Sequence, residues 1–207
     1  MKTVLKNCKW IILFICLILF LAIVENVFAN EVTKMDEVGY EFIANNFIRV
    51  SLTPIVKIFT NFGSALFLLP VTILLCLILK NRKIRFSILF NLIFITIINQ
   101  VLKFIVQRPR PTDFKLIDES GYSFPSGHAM ISVAFYGYLI YLIYKYIKNK
   151  IIKFLLISLL VILIIIIGVS RIYLGVHYTS DVLAGFLISL SYLIMYISIS
   201  NKWIEGR

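Results

Sequence analysis

Six continuous apolar runs alternate with short polar stretches along the chain, at residues 10–24, 64–79, 86–102, 129–144, 154–169 and 182–199. Each is near the roughly 17–25 residues that a membrane-crossing helix needs, and the lysines and tyrosines at their edges extend a helix into the interface. Period-two alternation, the mark of a membrane barrel, is missing from these runs. The pattern therefore predicts an all-α, polytopic membrane bundle of about six transmembrane helices, with residues 1–207 as one domain. The first run, with Lys2, Lys6 and Lys9 before it and Val27-Phe28-Ala29 after it, also resembles a cleavable signal peptide; an uncleaved helix is the expectation. Between residues 30 and 62 lies an outer connection. Within it Met35, Val38 and Phe42 recur at helical spacing beside Asp36, Glu37 and Glu41, which fits either a helix lying at the interface or a solvated spacer packed on the bundle. Thr53 before Pro54 reads as a helix start with proline in its first turn.

Composition agrees: 60% of residues are hydrophobic and the mean hydropathy is +0.95, which excludes an ordinary soluble domain. The net charge of +11 would suit a nucleic-acid binder until the charges are sorted by loop. With the N-terminus in the cytoplasm, the inner loops collect 13 of the 21 cations and one acid, Glu205, leaving 8 cations and 9 of the 10 acids outside. The excess is thus the positive-inside signal, reinforced by anionic membrane lipids, and no nucleic-acid partner is implied. Both termini are expected in the cytoplasm of a plasma-membrane protein. Cys8, Cys16 and Cys76 are odd in number and none falls in an outer loop, so no disulfide framework is expected; Cys16 and Cys76 read as small packing residues.

Three polar clusters interrupt this apolar background, and all fall on the expected outer side. The first is Lys103, six residues, then Arg110-Pro111; the second is Pro125-Ser126-Gly127-His128; the third is Ser170-Arg171, five residues, His177, three residues, Asp181. Lys103, Arg110 and Arg171 lie on the face that the charge rule disfavours for cations, which points to a task there. His177 and Asp181 are four apart, so they share a face if the last helix begins near Thr179. A carboxylate on one ring nitrogen fixes the tautomer and leaves the other lone pair free to attack. Arg171, across a turn containing Gly175, can fork two donors onto phosphate oxygens. Ser126 and Gly127 precede a helix whose first amides make an anion site, and His128 is placed to give a proton to a leaving oxygen. A phosphate dianion among Lys103, Arg110 and Arg171 would be well neutralised.

Each residue alone has a plainer reading: a membrane-edge histidine as hydrogen-bond partner, an arginine that snorkels, a Ser-Gly pair that starts a helix. Their order and common side favour the pocket. Arg108 and Lys115 lack that support and read as surface charges; Asn99, one turn before Lys103, reads as an interhelical hydrogen-bond partner. Two histidines and an aspartate can also form a zinc trio, but three cations beside it would repel the metal, so no metal site is expected.

At these residues the sequence resembles the type-2 phosphatidic acid phosphatase superfamily of integral membrane lipid phosphatases, whose three-part signature it matches over residues 103–181. The resemblance implies His177 as the nucleophile of a phosphohistidine intermediate, Asp181 as its orienting partner, and His128 as the proton donor that later activates water. It implies Lys103, Arg110, Ser126, Gly127 and Arg171 as phosphate ligands, with no metal or other cofactor. Phosphatidylglycerophosphate, phosphatidic acid and undecaprenyl diphosphate are the implied candidate substrates. Two other classes remain open on the residues alone: a phosphotransferase with a non-water acceptor, and a non-catalytic protein that binds or translocates lipid phosphates.

Overall fold

A computed structural model describes residues 2–206, with side chains from residue 8 onward. Among them are eight helices and no strand: α1 (Lys2–Ala29), α2 (Lys34–Phe47), α3 (Thr53–Asn61), α4 (Ala65–Ile78), α5 (Arg82–Val106), α6 (Gly127–Tyr146), α7 (Lys150–Tyr173) and α8 (Thr179–Glu205). Five are long and apolar enough to cross a membrane, and α3 with α4, bent by 50°, form a pair with the geometry of either a broken sixth span or a re-entrant loop. Side-chain caps set several starts: Asn81 accepts from the amides of Lys83 and Ile84, and Asn149 from those of Ile151 and Ile152.

The helix α2 forms where the spacing predicted one, opened by a Thr33–Asp36 capping box. The connection over residues 30–62 also holds α3, which forms one bent pair with α4. One expectation shifts: α3 starts one residue early, with Leu52 at the cap and Thr53 already helical. The Thr53 hydroxyl donates back to the Arg49 carbonyl at 3.1 Å, and no side chain caps the helix. Gly63 sits in the break because a side chain there would run into Ile167 and the His128 ring.

Lipid-facing and core-facing stripes follow helical periodicity. On α7, Ile151, Leu155, Leu159 and Ile162 are exposed at spacings of four, four and three. Leu68, Ile88, Ile95, Met130, Phe135, Tyr138 and Ile167 are buried in a core shared by α4, α5, α6 and α7. Polar links cross this core: Asn91 Nδ2 donates to the Ala134 carbonyl at 2.8 Å and Tyr138 to Ser87 Oγ at 2.8 Å. Such bonds contribute about 0.6 kcal/mol each inside a bilayer, so they fix register more than they supply stability. α1 packs on α8, with Ser191 Oγ donating to the Leu13 carbonyl at 3.3 Å and Cys16 buried.

One end of the bundle gathers cations. Lys9 reaches Ser198 Oγ at 3.0 Å, Lys83 the Trp203 carbonyl at 3.0 Å, and Lys145 the Glu205 carboxylate at 2.9 Å. The starts of α1 and α5 therefore lie beside the ends of α6 and α8. The opposite end carries α2 and the three polar clusters.

Candidate active site

Four chain segments converge at that opposite end. The last turn of α5 brings Lys103, and residues 107–126 cross the mouth of the bundle without regular structure. α6 opens at Gly127, directly after Ser126 at its cap. The last turn of α7 carries Arg171, and a turn through Gly175, at φ +66°, leads through His177 to the start of α8. Asn99 of α5 donates to the Pro125 carbonyl at 3.1 Å and to Met130 Sδ at 3.1 Å, so the expected interhelical bond pins the Pro-Ser-Gly-His turn. Gly127 lies so close to that amide that a Cβ there would be 2.9 Å from Asn99 Oδ1. Ser126 is fully buried and its amide donates to the Asp181 carbonyl at 3.0 Å, joining the starts of α6 and α8.

His177 occupies the centre with 3% of its surface exposed. Its Nε2 is 3.1 Å from Arg110 Nη1, and its Nδ1 is 3.4 Å from Asp181 Oδ2 and 3.3 Å from Ser123 Oγ. A guanidinium only donates, so Nε2 must offer its lone pair and the proton resides on Nδ1, facing the carboxylate. Burial, followed by the charges of Arg171, Arg110 and Lys103, holds the ring's pKa well below 6.5, so it is neutral. The Asp181 contact is long because Oδ2 already accepts from Ser123 Oγ at 2.5 Å and the Tyr178 amide at 2.9 Å.

The three cations converge here too. Arg110 Nη1 touches His177, Lys103 Nζ donates to the Tyr122 carbonyl at 2.5 Å, and Arg171, fully buried, donates to Thr60 Oγ1 at 2.7 Å and Glu119 Oε1 at 2.5 Å. His128 lies within electrostatic reach of all three and of His177. The amides of Gly127 and His128 head α6, where no intrahelical acceptor exists. All eight predicted site residues therefore lie at one end of the bundle, where a neutral imidazole, three cations, a second imidazole and a helix N-terminus come together. Chemically, that set can hold a phosphate, attack it and protonate what leaves.

Arg108 is not a surface charge: it is 3% exposed, donates to Asp36 Oδ2 at 2.7 Å and Asp181 Oδ1 at 2.6 Å, and lies 3.9 Å over the Tyr178 ring. Asp36 in turn accepts from the Ser180 amide at 2.8 Å. A cation on the disfavoured side of the charge pattern, like the three chosen residues, was the signal available for Arg108; the Thr33-x-x-Asp36 pattern was the signal for an ordered Asp36. Lys115 is exposed as expected. Ser123, Thr60 and Glu119 carried no sequence signal, since each reaches the site only through tertiary contact.

A cavity of about 520 Å³ reaches His177 from the α2 side, but Glu31, Asp36, Glu37 and Asp113 line it, a wall that repels phosphate. A groove of about 690 Å³ flanks the other side at Lys103, Phe104 and Tyr122.

The chain is similar to known proteins over this region. The family model of the PAP2 superfamily matches residues 85–205. Phosphatidylglycerophosphatase B of Bacillus subtilis is 35% identical over 138 residues, 63% of this chain and 66% of the relative, so the match spans just under two thirds of that protein. An undecaprenyl-diphosphatase of Sulfolobus acidocaldarius is 27% identical over 88% of this chain and 86% of its own. Among solved structures, the crystal structure of a transmembrane PAP2 type phosphatidylglycerolphosphate phosphatase from Bacillus subtilis superposes with a TM-score of 0.83 at 26% identity, over 92% of this chain and 96% of that one. LpxE of Aquifex aeolicus gives 0.60 at 27% identity, over 79% and 92%.

Proposed function

The chain belongs to the PAP2 superfamily, and from that premise we propose that it hydrolyses the terminal phosphate of a membrane lipid phosphate or diphosphate through a phosphohistidine. The observation that carries this reading is the orientation of His177: its lone-pair Nε2 faces Arg110 and the cationic space, while Nδ1 faces Asp181.

In the first step Nε2 attacks phosphorus and the bond to the lipid oxygen breaks. His128, protonated beside the incoming dianion, gives its proton to that oxygen, and the lipid alcohol or monophosphate leaves. Asp181 stabilises the positive ring. In the second step water attacks the phosphohistidine as His128 takes its proton, orthophosphate departs and both rings return to their starting state. Lys103, Arg110 and Arg171, with the Ser126 hydroxyl and the Gly127 amide, balance the charge on the equatorial oxygens. No step calls for a metal.

A pocket at the outer leaflet of the cell membrane is supported by the basic residues gathered at the opposite end of the bundle, the kind of end that faces the cytoplasm. Phosphatidylglycerophosphate and undecaprenyl diphosphate, the substrates named for the relatives, both present a terminal phosphate of the required charge. The test is phosphate release by the purified protein in detergent with EDTA, offering both lipids, with His177→Ala as control. Histidine-dependent release that survives EDTA is expected, and the ratio of rates ranks the substrates. Absence of release from either lipid by intact protein would overturn the proposal.

A further inference from the structure

Four consecutive residues supply an oxygen to every cation of the pocket. Glu119 gives Oε1 to Arg171 at 2.5 Å, with Oε2 at 4.0 Å from Arg110. The Ser120 carbonyl accepts from Arg110 Nη2 at 3.0 Å and the Gly121 carbonyl from Arg110 Nε at 2.9 Å. The Tyr122 carbonyl accepts from Lys103 at 2.5 Å. This strap also holds Arg110 where its Nη1 covers the lone pair of His177. The molecule thus presents its own oxygens where a phosphate would present them.

The fit is incomplete at one atom. Arg171 is fully buried, yet its Nε has no hydrogen-bond partner, because the Glu119 carboxylate reaches one amine and Thr60 the other. An unpaired donor on a buried guanidinium is costly, and a ligand with more oxygens than a carboxylate relieves it. The strap is also built to leave. Ser120, Gly121 and Tyr122 are exposed, and the Glu119 side chain is 29% exposed and can return to water. Gly121, at φ +76°, has open space around its Cβ position, and the 690 Å³ groove borders the strap.

We propose that Glu119 is a selectivity residue: its tethered carboxylate occupies the anion pocket and admits terminal phosphates while excluding phosphodiester headgroups. A phosphodiester carries one negative charge, the same as Glu119, and competes against a group held at high effective concentration. It gains little by exchange. A terminal phosphate brings about −1.5 to −2 charges and three oxygens, enough for the idle Arg171 donor and for all three cations together. In a bilayer most headgroups are diesters, as is the product of phosphatidylglycerophosphate hydrolysis, so the returning carboxylate also clears the pocket after turnover. The inference rests on the phosphatase reading only for its purpose; the exchange itself is a binding property.

The test is therefore a binding measurement. Inorganic phosphate is titrated by calorimetry into the full-length protein in neutral detergent, with and without soluble short-chain phosphatidylglycerol, for wild type and Glu119→Gln. For wild type, phosphate affinity should be unchanged by the diester. For Glu119→Gln, phosphate should bind about tenfold more tightly, and the diester should displace it. The neighbouring exposed Asp118→Asn should behave as wild type. Should the glutamine variant fail to fold, Glu119→Asp carries the test, with both effects in the same direction and smaller. Unchanged phosphate affinity in the variant overturns the inference, and so does tighter phosphate binding without diester competition. Because no turnover is read, a protein that hydrolyses no lipid phosphate but shows both effects upholds the selectivity residue and refutes the phosphatase reading alone.

Discussion

Arg108 Nη1 donates to Asp181 Oδ1 at 2.6 Å, and its other terminal nitrogen holds Asp36 at 2.7 Å. The carboxylate behind His177 is thereby tied to α2, since Asp36 also accepts from the Thr33 amide at 3.0 Å and from the Ser180 amide at 2.8 Å. All three charged groups are at least 98% buried at the side chain. Removing the cation leaves two carboxylates facing each other without water. Arg108→Gln should cost about 3–5 kcal/mol, the range for breaking a buried ion pair from one side. Thermal unfolding in detergent reads this directly. A melting temperature within a degree of wild type would return Arg108 to the rank of a bystander.

Turnover should depend on His177 far more than stability does. His177→Ala removes the attacking atom, and losses of about a thousandfold or more are usual when a nucleophile is deleted. The protein should still elute as folded material, because the cluster around Asp181 keeps Arg108, Ser123 and the Tyr178 amide. Acid-labile, base-stable labelling from a radioactive terminal phosphate should appear in wild type and vanish in this variant. Activity near wild type would sink the nucleophile assignment.

Acid should destabilise the protein through His177. Its folded-state pKa lies well below 6.5, first through burial and then through Arg171, Arg110 and Lys103. Below 6.5 the unfolded chain takes up a proton that the folded ring refuses. Stability from this group is intact above about pH 7 and declines as pH falls, by up to about 1.4 kcal/mol per unit. Melting curves from pH 7.5 to 5 should fall less steeply for His177→Gln than for wild type. Parallel curves would mean that the ring titrates normally.

Gly175 should tolerate no side chain. It adopts φ +66°, and a Cβ would collide with the backbone carbonyl of Phe114, which cannot rotate aside because Leu116 is bonded to the Leu174 carbonyl at 3.0 Å. Gly175→Ala should lower stability by about 1–3 kcal/mol from backbone strain before any clash is counted. It should also reduce kcat more than it raises KM, since the turn aims His177. Equal activity and melting temperature would contradict the close approach.

The six apolar runs, the helix α2 and the three clusters were legible because each is a local pattern. Apolar continuity sets a span, the 3.6-residue repeat sets a face, and His177 with Asp181 meet because they are four apart at a helix start. The sequence also determined the sorting of charge, with basic residues at one end and the clusters at the other, because a bilayer makes the position of every cation costly or cheap in a way that composition records. Fold assembly decided the rest. Arg108 looked like Lys115 in the sequence and became its opposite, because burial depends on Asp36 and Asp181 arriving from 72 and 73 residues away. Thr60 and Glu119 meet on Arg171 across separations of 111 and 52 residues, which no local pattern records. Charge at a site is a local property of the chain; what neutralises it is a long-range one.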